Sequence, residues 1–226
     1  MTVAANTDHA SLMDRMYRHQ RYFYDPTRKY YLLGRDKLLR SMDPPQGGSV
    51  LEIGCGTGRN LVLLGQLRPD LKLHGLDVSA VMLQTAGDRV ARAKLTSRVR
   101  LATADASRAD PRRVFRCDGF DRVFFSYTLS MIPDWQSALA LGVDALSPGG
   151  ELHIVDFGGQ SGLPRLFRSG LSGWLRLFHV APRPVEFYRE LRSLARPLRA
   201  GVDQKQPYLG YAWSAVLRRP GLGAAI

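Results

Sequence analysis

Residues 49–64 constrain this chain more than any other stretch. Ser49-Val50-Leu51-Glu52-Ile53 is a short aliphatic run that stops at three alternating glycines, Gly54, Gly56 and Gly58. Apolar density then resumes in Asn60-Leu61-Val62-Leu63-Leu64 with the character of a helix. Strand, glycine turn and helix in that order bring a nucleotide-like ligand against bare backbone at a helix N-terminus. Glycine is needed there because the turn takes unusual dihedrals and a Cβ would block the ligand. The spacing is not the dinucleotide fingerprint G-x-G-x-x-G, since Arg59 stands in the place of its third glycine. What stands instead is E-x-G-x-G-x-G, from Glu52 to Gly58.

The strands that follow end on acids. Leu71 to Asp77 alternates as a second strand, and Asp77 lies 23 residues beyond Gly54, where a nucleotide-binding βαβ unit places its ribose ligand. Ser79 reads as the cap of a helix running through Met82, Leu83 and Val90. Val99 to Thr103 reads as a third strand, with Asp105-Ala106 at its carboxyl end, placed to meet an adenine amine and to offer a backbone donor. Residues 107–116 read as a solvated basic segment. Phe120 to Ser126 is a nearly continuous apolar run, as a central parallel strand requires. Next come an amphipathic helix (Ala138, Leu141, Val143, Leu146), a Ser147-Pro148-Gly149-Gly150 turn, and a fifth strand, Glu151 to Phe157. Repeated βα units predict an α/β fold with a doubly wound parallel sheet.

The ordered set E-x-G-x-G-x-G, Asp77, Asp105-Ala106, F-D-x-V-F-F-S-Y and L-S-P-G-G is similar to the class I S-adenosylmethionine-dependent methyltransferases over residues 48–157. The resemblance implies a seven-stranded, mostly parallel, Rossmann-like sheet closed by a C-terminal antiparallel strand, and Tyr208 to Leu217 resembles that strand. It also implies S-adenosylmethionine as cofactor, S-adenosylhomocysteine as product, and Glu52, Gly54, Cys55, Gly56, Asp77, Val78, Met82, Asp105, Ala106 and Ser126 as the cofactor's contacts. The block Met13 to Gln20 with Tyr24 to Asp36 resembles the N-terminus of bacterial betaine-lipid N-methyltransferases, which trimethylate the amine of diacylglyceryl-homoserine. That likeness implies a lipid substrate with an amine head group.

Residues 11–41 read as two helices, the second restarting at Asp25-Pro26-Thr27 and carrying Tyr30, Tyr31, Gly34, Leu38 and Leu39. Residues 1–46 are thus a helical lid or substrate segment on a domain spanning 47–226. Its tyrosines are either packing residues or a wall over the glycine loop. Tyr17, Tyr31 and Tyr127 are the catalytic candidates, with Tyr24 as a further acceptor of the proton an amine must lose before attack. Aromatic faces would also favour an onium product. Arg28 or Arg35 would clamp a carboxylate of substrate or cofactor.

Charge bears on the partner. The net charge is +12, and residues 158–226 hold 11 Lys+Arg against 3 Asp+Glu, whereas residues 47–157 hold 13 against 12. Residues 158–199 read as a basic, amphipathic helical insertion. Leu163, Leu166, Phe167, Leu171, Trp174, Leu175 and Phe178 recur at helical intervals beside Arg165, Arg168 and Arg176, as an interfacial membrane helix or a core-packing helix would. The stretch 161–199 is thus expected to meet an anionic membrane surface. A solvated basic face is the plainer alternative. Nucleic acid is not expected, because Ser126-Tyr127-Thr128-Leu129 is not the Asn/Asp-Pro-Pro-aromatic turn of base N-methylating enzymes. Two distant cysteines and five scattered histidines suggest neither disulfide nor metal. With no long apolar run and no secretory pattern, the expected location is cytoplasmic, peripheral at the inner membrane face. Phosphatidylethanolamine and quinone precursors remain open as substrates, and a non-catalytic lipid-binding partner is the reading from another class.

Overall fold

The computed structural model describes residues 31–177, 180–221 and 223. In chain order the elements are α1 (Arg35–Ser41), β1 (Ser49–Ile53), α2 (Arg59–Leu67), β2 (Lys72–Asp77), α3 (Ala80–Arg92), β3 (Val99–Thr103) and α4 (Pro111–Phe115). After them come β4 (Phe120–Ser126), a 3-10 turn (Leu129–Met131), α5 (Trp135–Asp144), β5 (Leu146–Phe157), α6 (Arg165–Leu177), α7 (Pro184–Ala195), β6 (Gly201–Lys205) and β7 (Ala212–Arg218). The strands form one sheet in the order β3-β2-β1-β4-β5-β7-β6. β1 to β5 pair in parallel, and β7 runs antiparallel to both β5 and β6. The chain reverses its direction of winding between β1 and β4, and the crevice at that switch point is where such sheets bind ligands.

Both sheet faces are covered, as a parallel sheet requires. On one face Val50, Leu61, Leu64, Val155 and Phe157 pack with Leu38 and Leu39 of α1 and with Leu171, Trp174 and Leu175 of α6. On the other, Leu51, Ile53, Phe125 and Ile154 pack with Ala138 and Leu139 of α5 and with Phe187 and Leu191 of α7. Local chemistry sets the helix starts. The Ser79 hydroxyl accepts the Met82 N–H at 3.2 Å, and Asp110 accepts that of Arg112 at 2.9 Å with Pro111 in the first turn.

Several expectations are corrected. The expected second N-terminal helix does not run unbroken through Tyr31 and Leu39: Gly34 takes a left-handed φ of 87° and α1 starts afresh after it. Leu146 and the Ser147–Gly150 stretch belong to β5, which pairs irregularly with β4, rather than to a helix end and a free turn. Residues 107–116 are not wholly solvated, since Pro111 and Phe115 are buried. The final strand starts at Ala212, because Tyr208, Leu209 and Gly210 all have positive φ. β6 was not anticipated. The insertion 158–199 does not form one surface: α6 and α7 lie on opposite faces of the sheet.

Candidate functional site

The carboxyl ends of β1, β2 and β4 meet around the glycine loop. Gly54, Gly56 and Gly58 all have positive φ (74°, 52° and 70°). Only two of them are filled from behind. A Cβ on Gly54 would lie 2.1 Å from Thr128 Cγ2, and one on Gly58 would lie 3.0 Å from Ala86 Cβ, whereas one on Gly56 would meet nothing within 4 Å. Gly56 therefore borders open space, and its bare backbone is free to approach a ligand.

Asp77 holds this loop in shape. Its Oδ2 accepts the Gly56 N–H at 2.7 Å and its Oδ1 the Ser79 N–H at 2.9 Å, so β2 is tied to the loop and to the start of α3. Asp105 accepts the N–H and hydroxyl of Ser107 at 2.9 and 2.7 Å and so stiffens the turn after β3. Ala106 packs partly buried behind it.

Glu52 is the outlier of the site. It is 1% exposed. Its Oε1 accepts from Asn60 Nδ2 at 2.6 Å, while its buried Oε2 has no hydrogen-bond partner among the described residues. Burial pushes its pKa up to about 8, against the pull of Asn60 and of Arg35. A buried carboxyl oxygen with nothing to bond calls for a ligand, either a cation that draws its proton off or a polar group that bonds its O–H. The buried Oγ of Ser126, at the end of β4, likewise lacks a partner.

Other expected contacts build the loop. The Cys55 side chain is buried beside Gly75, and its N–H already donates to Leu76 O at 3.1 Å. The Met82 side chain is buried, and Val78 is partly exposed between Asp77 and the cap of α3. Arg35 is buried where its charge is felt by both Glu52 and Tyr127. Arg59, which displaces the dinucleotide glycine, forks onto Asp36 of α1, with Nη2 to Oδ2 at 3.1 Å. That fork fastens the N-terminal segment over the glycine loop.

The tyrosine candidates separate. Tyr127 is buried, sits at φ 58°, and donates its hydroxyl to Leu33 O at 2.5 Å. Burial raises its pKa well above the ordinary range, so it is a neutral fastener of the N-terminal segment rather than a base. Tyr31 stands edge-on to Trp174 at 4.8 Å, and its carbonyl accepts the Tyr211 hydroxyl at 2.8 Å. Tyr17, Tyr24 and Arg28 lie outside the described residues.

Sequence reasoning missed Thr128, Asn60 and Asp156. Asp156 is fully buried, accepts the N–H groups of Ser130 and Phe157 at 3.1 and 2.7 Å, and has its pKa pushed up to about 6 by burial. An acid set in the apolar end of the strand, after Ile154-Val155 and before Phe157, was the available signal.

With this geometry in hand, comparison with known proteins is informative. A methyltransferase-domain family model matches residues 51–152. The chain is 31% identical over 121 residues to methyltransferase GfsG of Streptomyces halstedii, covering 54% of this chain and 42% of that protein. It is 27% identical over 158 residues to a demethylmenaquinone methyltransferase of Listeria monocytogenes, covering 70% and 61%. The chain thus spans between two fifths and two thirds of the curated relatives it matches. Among solved structures, phosphoethanolamine N-methyltransferase 2 of Haemonchus contortus, in complex with phosphomonomethylethanolamine and S-adenosylhomocysteine, superposes with a TM-score of 0.61 at 19% identity, over 83% of this chain and 52% of that one. The fold is that of the class I S-adenosylmethionine-dependent methyltransferases. The open side of Gly56 and the unsatisfied Glu52 and Ser126 oxygens fit that cofactor.

Proposed function

We propose that this chain, built on the class I S-adenosylmethionine-dependent methyltransferase fold, is an N-methyltransferase that successively methylates the amine of a lipid head group, with diacylglyceryl-homoserine as the acceptor. When bound, the cofactor supplies an electrophilic methyl group on a sulfonium. Glu52, Asp77 and Ser126 would hold it, and the N-terminal segment fastened by Arg59–Asp36 and Tyr127–Leu33 would cover it and exclude water. Transfer then needs little acid–base machinery beyond holding the amine lone pair on axis.

The observation that carries the reading is aromatic. Tyr31, Trp174, Phe157 and Tyr211 come from the N-terminal segment, α6, β5 and the turn before β7, and they stand together at the carboxyl end of β5. Phe157 and Tyr211 are buried and back the group, so it is Tyr31 and Trp174, only half-buried, whose rings suit a substrate that gains onium charge with each methyl. The N-terminal likeness to betaine-lipid enzymes points the same way. The amine proton leaves to water, directly or relayed through the hydroxyl of Tyr31 or Tyr17, because Tyr127 is already engaged. A second reading, C-methylation of a quinone precursor, draws on the Listeria relative.

Incubating the protein with methyl-labelled cofactor and lipid dispersions separates these readings by mass spectrometry. The expected outcome is one to three labelled methyl groups on diacylglyceryl-homoserine. Label on demethylmenaquinone or phosphatidylethanolamine alone would overturn the betaine-lipid reading.

A further inference from the structure

Between Asp156 and Glu186 the sequence contains no acidic residue, and Arg165, Arg168, Arg176 and Arg183 fall within that gap. The apolar face of α6 does not supply a membrane anchor, because Leu175 is buried and Leu171 and Trp174 pack on the core. Two leucines are left out of that packing. Leu166, in the first turn of α6, is 91% exposed, and Leu209, just before β7, is 68% exposed. They belong to neighbouring segments: a Cβ on Gly162 would lie 3.0 Å from Leu209 Cβ, and the Gly162 N–H donates to Leu209 O at 3.1 Å.

Leu209 is held outward at some conformational expense. Tyr208, Leu209 and Gly210 have successive φ values of 57°, 56° and 75°, and bulky residues rarely occupy that region. The segment is pinned by Gln160 N–H to Gly210 O at 2.7 Å and Gly158 N–H to Tyr211 O at 2.8 Å. Arg165 and Arg168 flank Leu166, are exposed, and make no ion pair among the described residues. Phe157 pairs with Ala212, so this rim lies at the carboxyl end of β5, the same end of the sheet as the glycine loop.

We propose that Leu166 and Leu209, framed by Arg165 and Arg168, dock the protein on an anionic lipid bilayer with its cofactor end facing the membrane. The inference rests on the lipid-acceptor reading and supplies its delivery route: a head group can enter from the surface on which the rim sits. Apolar tips insert at the level of the head groups while guanidinium groups meet the lipid phosphates. The other arginine cluster does not share this plane. Arg189, Arg192 and Arg196 line a concave groove of about 710 Å³ between α7 and β6, on the opposite face of the sheet.

Vesicle flotation, with vesicles that contain no acceptor amine, tests this apart from catalysis. The wild-type protein should bind phosphatidylglycerol-containing vesicles at least tenfold more tightly than pure phosphatidylcholine, less so at high salt. Arg165→Glu with Arg168→Glu should lower that binding about tenfold. Leu166→Ser with Leu209→Asn should lower it comparably even at high salt, Asn being tolerant of the left-handed backbone. Arg189→Glu with Arg192→Glu makes the same change in net charge and should leave flotation within twofold. Circular dichroism and cofactor calorimetry establish that each variant is folded. Equal binding to both vesicle types, equal loss from both arginine pairs, or loss of RNA binding in place of vesicle binding overturns the proposal. Methylation of a dispersed short-chain acceptor without flotation would overturn docking and spare the reaction. Flotation without methylation of any acceptor would do the reverse.

Discussion

At the end of the sheet where the parallel strands begin, polar groups answer one another. The Ser49 N–H and hydroxyl donate to Asp121 Oδ2 at 2.7 and 2.9 Å, and the Arg68 guanidinium forks onto Asp70 at 3.1 and 3.0 Å. Glu151 gathers Arg122, Arg218 and His153 at 3.5, 3.2 and 2.9 Å. At the end where the strands finish, buried oxygens of Glu52 and Ser126 have no hydrogen-bond partner among the described residues, and Tyr127, Gln160, Tyr208 and Leu209 all sit at positive φ. Buried polar atoms are nearly always bonded in native proteins, and strained backbone collects at sites of function. The first end has both features too, since Arg122 Nε lacks a hydrogen-bond partner among the described residues and Lys94, Arg116 and Arg199 sit at positive φ. What marks the second end is that the carboxyl and hydroxyl oxygens left unbonded there lie beside the open glycine loop.

The largest expected effect comes from breaking the unfinished end. Glu52→Gln keeps an oxygen for Asn60 but cannot ionise. It should weaken S-adenosylmethionine binding about 10- to 100-fold, as loss of a charge-assisted contact does. It should also stabilise the free protein. The native Glu52 carboxyl holds its proton up to about pH 8, whereas an unfolded chain releases it near 4.5. Stability from this group therefore falls as pH rises from about 4.5 to about 8, and by pH 7 the loss approaches ~3 kcal/mol. The variant should not show that fall. In the wild-type protein, cationic cofactor would draw a proton off Glu52, so affinity should rise with pH up to about 8 and level off above it. Calorimetry in buffers of differing ionisation enthalpy reads the released proton. Unaltered affinity with unaltered stability in the variant would show that the open oxygen is incidental.

The opposite end should respond in the reverse sense. His153 has its pKa pushed down to about 4 by burial, so at neutral pH its Nε2–H donates to Glu151 as a neutral group. Glu151→Gln keeps a hydrogen-bond acceptor there but removes the charge facing Arg122 and Arg218. It should cost about 1–2 kcal/mol of stability, read by denaturant unfolding, and leave cofactor affinity within twofold. A large loss of affinity would mean that the two ends are coupled through the sheet.

The same contrast explains what was legible in the sequence. The glycine loop, Asp77 and Asp105 could be read because each is a local signal, a strand with its own turn, and the doubly wound sheet followed from their order. β6 could not, since Gly201, Asp203, Gln204 and Lys205 are exposed on an edge strand with no apolar alternation. Nor could the break before α1. Tyr30-Tyr31-Leu32-Leu33 continues smoothly into a helical pattern, and what fixes Leu33 is a hydroxyl 94 residues away. The sequence joins α6 to α7 within 7 residues, yet the sheet separates them, so one basic patch on paper is two surfaces in space. Glu52 was legible as a motif residue, but its unsatisfied oxygen depends on the packing of Asn60 and α1, which no spacing discloses.

The smallest effect belongs to Tyr127, where a tyrosine expected to take part in chemistry is found fastening the N-terminal segment. Tyr127→Phe preserves the ring, which stands edge-on to Phe157 at 4.7 Å, and removes only the bond to Leu33 O. The Leu33 carbonyl faces the loss of one neutral hydrogen bond, so stability should fall by about 1 kcal/mol. If the hydroxyl is a fastener, looser closure over the site should raise the apparent KM for cofactor a few-fold while the pH profile of kcat stays where it was. If it instead carries the amine proton, kcat should fall by orders of magnitude with its pH dependence altered and KM unmoved. A group held neutral by burial, its only hydrogen already given to a backbone carbonyl, has no proton-accepting role to lose, and the first pattern is the one expected.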